Sequence, residues 1–295
     1  MSVDVVLLVG HGSREQSGID EFLKFCEVIK PHLGPERVET CFIELTTPLV
    51  PESLDRCVEL GARRVVVLPV ILLAAGHVKV ELPHELDEAK ERHPGAEFLY
   101  GRHIGLDPLV IDIMRERLAE MEGEAEWPPE DTAILVVGRG SSDPDANSDL
   151  YKLSRLLWES RRYPWVESCF IGVTNPSLPE GLVRCAALGA RRIIVAPYFL
   201  FTGVLIPRIH RIVSEFTAAH PGIEVRMADY LNGHPKLVTV LQERKREALR
   251  GEARMNCALC KYRVQMPGHE HAATVHTGGA SCGIPRRRRS AMIGA

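Results

Sequence analysis

The 295-residue sequence lacks an apolar run long enough to cross a membrane. Its longest such run, residues 65–76, is interrupted by Pro69 and falls well short of the ~20 residues that a transmembrane helix needs. The opening residues, MSVDVVLLVGHGS, also lack the basic segment with which a signal peptide begins. The sequence therefore predicts a cytoplasmic protein with no membrane partner.

An excess of positive charge is lacking as well. The formal net charge is −3, and because residues 250–295 carry +6, the remainder of the chain carries −9. Proteins that bind nucleic acids depend on cations that neutralise phosphates, so this acidic body argues against such a partner. The four arginines at residues 286–289 are interpreted as a solvated run of charge.

The eight cysteines fall into two groups. Five of them lie within apolar or amphipathic stretches of the acidic body, where buried, reduced thiols are expected. They are Cys26, Cys41, Cys57, Cys169 and Cys185. The other three lie in a polar segment near the end of the chain and predict a different role.

The chain contains an internal repeat. Residues 39–64, ETCFIELTTPLVPESLDRCVELGARR, match residues 167–192, ESCFIGVTNPSLPEGLVRCAALGARR, at an offset of 128 without a gap. VLLVGHGSR near the start likewise matches ILVVGRGSS at residues 134–142. HPGAEF at residues 93–98 matches HPGIEV at residues 220–225 at an offset of 127, so one residue is lost in between. The repeat predicts two halves of similar structure.

Each half alternates short apolar runs rich in β-branched residues with segments of helical periodicity. This alternation is typical of parallel sheets with helices on both faces. We therefore predict an α/β fold of two tandem domains, each with a parallel sheet of about four strands flanked by helices, packed around a cleft. The predicted parts are a catalytic domain (residues 1–122), a linker (123–130), a degenerate repeat (131–250) and a flexible tail rich in Cys and His (251–295).

Three polar side chains follow predicted strands of the first half. His11 comes after the first strand, Glu44 lies at the end of the second, and His77 lies just beyond the third. Open α/β sheets place their ligand sites at these carboxyl ends. Two imidazoles and a carboxylate suit a first-row divalent metal, and three protein ligands leave positions open for exchange. The pattern predicts a metal site that releases its ion readily, since it contains no thiolate.

The second half has lost these side chains. The counterparts of His11 and Glu44 are Arg139 and Gly172, and the counterpart of His77 is Val204 or Leu205, depending on where the one-residue gap falls. A simpler interpretation is that His11 is a hydrogen-bonded residue in a tight glycine turn and Glu44 a surface carboxylate. The loss of all three from an otherwise retained frame favours the shared metal site.

The segments around these residues resemble the sirohydrochlorin chelatase family, in particular its long cobaltochelatase form of the anaerobic cobalamin pathway. They are LLVGHGSR around His11, FIEL around Glu44 and VILLAAGHVKVELP around His77. The resemblance implies a chelatase that inserts a divalent metal, most of all Co²⁺, into a sirohydrochlorin-type tetrapyrrole. It also implies that His11 and His77 bind the incoming metal and that Glu44 assists. Ferrochelatases that make sirohaem and nickel chelatases share the pattern, so Fe²⁺ and Ni²⁺ remain alternatives.

Metal insertion displaces two pyrrole protons, which a nearby imidazole or carboxylate can accept. His11, Glu44 and His77 are therefore the predicted catalytic residues, although the sequence does not assign each proton. The turns GHGS and GRGS lack the spacing and lysine of a P-loop, so no ATP site is expected. The substrate's carboxylates require cations, for which Arg139 is the first candidate because it replaces His11. Further candidates by position are Arg14, Lys79, Arg208 and Arg211.

The tail combines thiols and imidazoles. Cys257-x-x-Cys260 is followed by three histidines and Cys282, which predicts metal binding. Long cobaltochelatases have a similar MxCxxC segment, proposed to hold an iron–sulfur cluster, and a His-rich stretch. A cubane cluster takes four thiolates and this tail offers three, so a homodimer or mixed Cys/His ligation is needed. Zinc is an equally suitable ion, and incidental thiols in a flexible tail are the simplest interpretation.

The motifs bear on two other classes of protein. A histidine phosphatase has an Arg before the histidine of its R-H-G turn, whereas Gly10 stands there in VGHGSR. That class also leaves Glu44 and His77 unexplained and is therefore disfavoured. A non-enzymatic metal carrier that uses the tail remains the alternative of another class.

Overall fold

The structure, a computed structural model, describes residues 3–123, 129–159 and 162–254. In the first half the elements are β1 (Val3–Gly10), α1 (Gln16–Ile29), β2 (Arg37–Phe42), α2 (Val50–Glu59), β3 (Ala62–Pro69), a π-helical segment (His77–Glu81), α3 (Leu82–Arg92), β4 (Glu97–Tyr100) and α4 (Pro108–Gly123). In the second half they are β5 (Thr132–Gly138), α5 (Pro144–Trp158), β6 (Trp165–Phe170), α6 (Leu178–Ala187), β7 (Arg192–Pro197), α7 (Leu205–Ala219), β8 (Glu224–Met227) and α8 (Pro235–Leu249).

Each half contains one four-stranded parallel sheet, with the order β2-β1-β3-β4 in the first and β6-β5-β7-β8 in the second. The registers match: Gly10 pairs with Phe42 in the first sheet, and Gly138 pairs with Phe170 in the second. The predicted α/β fold with two parallel sheets of four strands is therefore confirmed. Because the strands are parallel, their carboxyl ends lie along one edge of each sheet.

The helices begin and end where the sequence signals it. Pro51 lies in the first turn of α2, where a missing N–H costs nothing, and Gly61 follows the helix with φ +88°. In α6, Ser177 and Glu180 form a reciprocal capping box. The proline and glycine signals recur at the repeat spacing as Pro179 and Gly189, whereas the capping box has no counterpart in α2, whose N-cap is Leu49.

The two halves share a central core. Apolar side chains of β1, β3, β5 and β7 on one face of each sheet join those of α1, α4, α5 and α8 in one buried cluster. Separate outer clusters lie under α2 and α3 in the first half and under α6 and α7 in the second. The five body cysteines are buried and unpaired, as predicted, and burial raises the pKa of the Cys57 thiol to about 12.

The last helix of each half packs against the other half. α4 contacts β7, and α8 contacts β3 and β4. Arg244 of α8 is 1% exposed and donates hydrogen bonds to the carbonyl oxygens of His103 and Ile104 and to Asp107. These contacts of α4 and α8 hold the two halves together, with the cleft between their strand ends. No helix in the described part of the chain combines the length and apolarity needed to cross a membrane.

Candidate metal centre

His11, Glu44 and His77 converge in space. The Nδ1 atom of His11 lies 3.6 Å from Oε1 of Glu44, and Nε2 of His77 lies 3.8 Å from the same oxygen. The two imidazole rings stand edge to face with their centroids 4.8 Å apart. One potential ligand atom from each residue lies within 4.8 Å of the others. The side chains that the sequence analysis selected from three separate strand ends thus form one cluster.

The backbone around Gly12 holds two of these residues together. The amide of Ile43 donates to the carbonyl of Gly10, and the amide of Glu44 donates to the carbonyl of His11, which extends the β1–β2 ladder beyond the strands. Gly12 has φ +94°, and a Cβ there would lie 1.8 Å from the carbonyl oxygen of Glu44. Only glycine allows this close approach. The tight glycine turn and the cluster of three side chains, predicted as alternatives for His11, occur together.

Two further side chains contact the imidazoles. Oε2 of Glu81 lies 2.7 Å from Nδ1 of His77, one turn along the π-helical segment. An Nη1 atom of Arg139 lies 2.9 Å from Nε2 of His11. Glu81 was not among the predicted site residues, although its position four residues after His77 signals a shared helix face. Arg139, the predicted substrate contact, lines the cleft and also contacts His11.

The surroundings of His11 favour its neutral imidazole form. Burial, and next the charges of Arg139 and His77, lower the pKa of His11, while the Glu44 carboxylate opposes this shift. A metal competes with protons for an imidazole nitrogen, so a lowered pKa favours ligation near neutral pH. The side chains of His11, His77 and Glu44 are 30%, 28% and 43% exposed, and His11 and Glu44 line the cleft between the halves.

The cluster opens into a cleft of about 680 Å³ between the halves. This volume is ordinary for a small-molecule site. Much of the wall is apolar: Leu72 and Leu73 come from the first half, and Phe199, Phe201 and Val204 from the second. Val204, a candidate counterpart of His77, is 54% exposed. The degenerate half thus contributes apolar surface where the first half contributes ligand atoms.

The predicted cations divide into two sets. Among the described residues, Arg14 and Arg139 are the arginines that line the cleft. The prediction for Lys79 is wrong, because its Nζ is buried and donates to Asp143 over 2.8 Å and to Asp145 over 2.7 Å. Arg208 is exposed on α7, and Arg211 pairs with Glu215 on the same helix. The cysteines predicted to bind a metal in the tail, Cys257, Cys260 and Cys282, lie outside the described residues.

The similarity of the chain to known proteins covers both halves. The CbiX family model matches residues 5–121 and again residues 133–248. The chain is 49% identical over 265 residues to a sirohydrochlorin cobaltochelatase of Priestia megaterium, covering 90% of this chain and 86% of that protein. It is 34% identical over 247 residues to a sirohydrochlorin ferrochelatase of the same organism, covering 84% and 91%.

A solved structure with the same arrangement is the sirohydrochlorin chelatase SirB of Bacillus subtilis subspecies spizizenii in complex with cobalt. Its TM-score is 0.72 at 31% sequence identity, and the match covers 85% of this chain and 97% of that one. SirB from Bacillus subtilis with Fe³⁺ matches equally well, with a TM-score of 0.72 at 32% identity. The likeness therefore extends over the cleft and both sheets.

Proposed function

The chain belongs to the CbiX family, and from this premise we propose that it inserts a divalent metal, first of all Co²⁺, into sirohydrochlorin without ATP. The observation that carries the proposal is the cluster of His11, Glu44 and His77, of which His11 and Glu44 line a cleft about 680 Å³ in volume. Two imidazoles and one carboxylate bind Co²⁺, Fe²⁺ and Ni²⁺ alike. The higher identity to the cobaltochelatase than to the ferrochelatase favours cobalt.

In the proposed reaction the metal is a substrate. His77 offers Nε2 and Glu44 offers a carboxylate oxygen, while His11 completes the set of ligands. Because these are three protein ligands, the ion keeps open positions through which pyrrole nitrogens can enter. Each side chain that gives up the metal regains a lone pair. It can then accept one of the two protons that the macrocycle releases.

The cleft has the surfaces that a carboxylate-bearing macrocycle requires. The apolar residues Leu73, Phe201 and Val204 offer contact to the faces of the ring. Arg139 is exposed at the cleft and is the proposed contact for a substrate carboxylate, since guanidinium pairs well with such groups. Burial of the ring also removes water from around the metal, which strengthens the electrostatic interactions there.

The tail contributes no step to this proposal. Its donor set of three thiolates and three imidazoles falls short of the four thiolates of a cubane cluster. We propose that Cys257, Cys260 and Cys282 bind a metal, as an iron–sulfur cluster shared in a homodimer or as zinc with the tail histidines. A cytoplasmic location also stays a prediction of the sequence.

Anaerobic insertion kinetics test the proposal. The absorption spectrum of sirohydrochlorin is followed with Co²⁺, Fe²⁺ or Ni²⁺, with and without the protein. We expect clear acceleration with Co²⁺, loss of that acceleration in His11→Ala and in His77→Ala, and its retention in His84→Ala. His84 is a matched control because it is an exposed histidine of α3 that pairs with Glu88. Full activity in both cluster variants would overturn the site.

A truncation separates the enzyme from the metal carrier. Both sheets and the residues that line the cleft precede residue 251, so removal of residues 251–295 deletes none of them. A chelatase of the proposed kind keeps most of its insertion rate. A carrier that depends on the tail loses its metal binding and never accelerates insertion. Folded protein that fails with all three metals would favour the carrier.

A further inference from the structure

The contact between Arg139 and His11 assigns the protons of the His11 ring. A guanidinium can only donate hydrogen bonds, so Nε2 of His11, 2.9 Å from Arg139, must accept. Nε2 then carries no proton, and in the neutral ring the proton resides on Nδ1. Nδ1 lies 3.6 Å from the carboxylate of Glu44, which suits a protonated nitrogen.

The other members of the cluster are arranged differently. Nδ1 of His77 is 2.7 Å from Glu81, so its proton points away from the cluster and the Nε2 lone pair points towards Glu44. His77 and Glu44 therefore present free lone pairs to a metal. In His11 the Nε2 lone pair is bound to a guanidinium, and Nδ1 is protonated. A metal can use His11 only after Arg139 leaves or after Nδ1 loses its proton.

We propose that Arg139 is a gate on the metal site: it occupies Nε2 of His11 in the substrate-free protein and is drawn away by a carboxylate of the incoming macrocycle. This inference rests on the proposed function. Arg139 is exposed and lines the cleft, so it can turn towards an anion without disturbing the core. A carboxylate, which accepts two parallel hydrogen bonds and carries a charge, is a stronger partner for guanidinium than a neutral imidazole.

The gate couples the two substrates. In the absence of macrocycle, the metal binds only to His77 and Glu44. Because Arg139 occupies His11, the site lacks one ligand and the metal affinity is low. Macrocycle binding releases His11, so the complete set of ligands exists only when the acceptor of the metal is already in the cleft. Such coupling is reciprocal, so bound metal also favours macrocycle binding. In the second half, Arg139 thus replaces the histidine of the first half and controls whether His11 can bind the metal.

Co²⁺ titration of the protein without macrocycle tests the gate. In Arg139→Met, His11 is free to ligate, and we expect Co²⁺ to bind about tenfold more tightly, the scale of one charged hydrogen bond. The matched control is Arg14→Met, which removes a positive charge from the same cleft. If the Arg139 effect is competition for Nε2, the control changes the affinity by about twofold or less. Equal tightening in both variants, or none in Arg139→Met, would overturn the gate.

Nitrogen-15 NMR of the metal-free protein provides a second readout. Wild-type His11 should be protonated on Nδ1, whereas in Arg139→Met the tautomer protonated on Nε2 becomes populated. An Nε2-protonated His11 in the wild type would contradict the inference. His77→Ala distinguishes the gate from the proposed function. If this substitution leaves the Co²⁺ affinity unchanged, the proposed metal site is wrong. If binding depends on His77 but not on Arg139, only the gate is wrong.

Discussion

Glu81 accepts a hydrogen bond from Nδ1 of His77 over 2.7 Å, within one π-helical turn. The contact fixes which nitrogen of His77 carries its proton and turns the other towards Glu44, 3.8 Å away. Carboxylates commonly hold metal-binding histidines in this way and raise their basicity. π-helical turns are rare and often occur at functional sites, where they reposition a side chain. Here the turn places His77, a proposed ligand, and the Glu81 carboxylate on the same face.

Replacement of Glu81 should therefore weaken the metal site. For Glu81→Gln we expect a loss of about 10- to 100-fold in Co²⁺ affinity, because His77 loses the acceptor that orients it. Isothermal titration with Co²⁺ measures this loss. Glu88→Gln is the control, since Glu88 pairs with His84 at the same four-residue spacing on the exposed surface of α3. Equal affinities in the two variants would show that Glu81 does not support the site.

Lys79 ties the segment that carries His77 to the second half. Its Nζ contacts Asp143 and Asp145 at the start of α5, and the side chains of Lys79 and Asp143 are 5% and 0% exposed. Removal of one partner from a buried ion pair leaves an uncompensated charge, which costs about 3–5 kcal/mol. Lys79→Met should therefore lower the free energy of unfolding by that amount.

Urea denaturation measures the effect of Lys79→Met. Lys152→Met, which alters an exposed lysine of the same helix α5, should stay within about 0.5 kcal/mol of the wild type. If the two variants are equally stable, the buried pairs contribute nothing beyond the surface charge. A large loss in Lys79→Met alone would establish Lys79 as a link between the halves.

The sequence predicted those features that depend on local pattern or on the repeat. Strand ends place His11, Glu44 and His77 at one edge of the sheet, and the repeat showed that Arg139 replaces His11. The role of Lys79 could not be predicted, because its acidic partners lie 64 and 66 residues farther along the chain. The repeat shows which position of one half corresponds to which position of the other. It carries no information on which residues of the two halves contact each other. For the same reason, the packing of α4 and α8 against the opposite halves was not predicted.

His103 makes the stability of the fold sensitive to acid. It is 8% exposed, and among the described residues its Nδ1 finds no hydrogen-bond partner. Burial, and next the charges of Arg102, Arg244 and Lys79, lower the pKa of His103 to about 3. The unfolded chain binds a proton at this residue below about pH 6.5, whereas the folded protein does not until about pH 3. Stability is therefore lost as the pH falls through this window.

The variant His103→Phe tests that prediction, since it keeps an aromatic ring and removes the titration. Within the window the wild type should lose up to about 1.4 kcal/mol of unfolding free energy per pH unit more than the variant. Denaturation curves at several pH values give the two slopes. Parallel slopes would mean that His103 titrates alike in the folded and unfolded chains.

Gly12 sets the distance between the His11 and Glu44 loops. Its φ is +94°, and a Cβ would lie 1.8 Å from the carbonyl oxygen of Glu44. Gly140, its counterpart in the second half, makes the same kind of approach to the carbonyl oxygen of Gly172, at 2.4 Å. Since the clash involves backbone and not a flexible side chain, Gly12→Ala must push the Glu44 loop away from His11.

We expect Gly12→Ala to destabilise the fold by more than about 3 kcal/mol and to weaken Co²⁺ binding strongly, because the displaced loop moves the Glu44 carboxylate away from both imidazoles. Gly61→Ala is the matched control: Gly61 also has a positive φ, +88°, but no atom lies within 4 Å of the added Cβ. Gly61→Ala should therefore lower the free energy of unfolding only by the cost of the left-handed backbone conformation, about 1–2 kcal/mol. Its Co²⁺ affinity should be unchanged. Urea denaturation and Co²⁺ titration of the two variants separate strain from clash. If Gly12→Ala matches Gly61→Ala in both measurements, the close approach of the two loops is not required for the site.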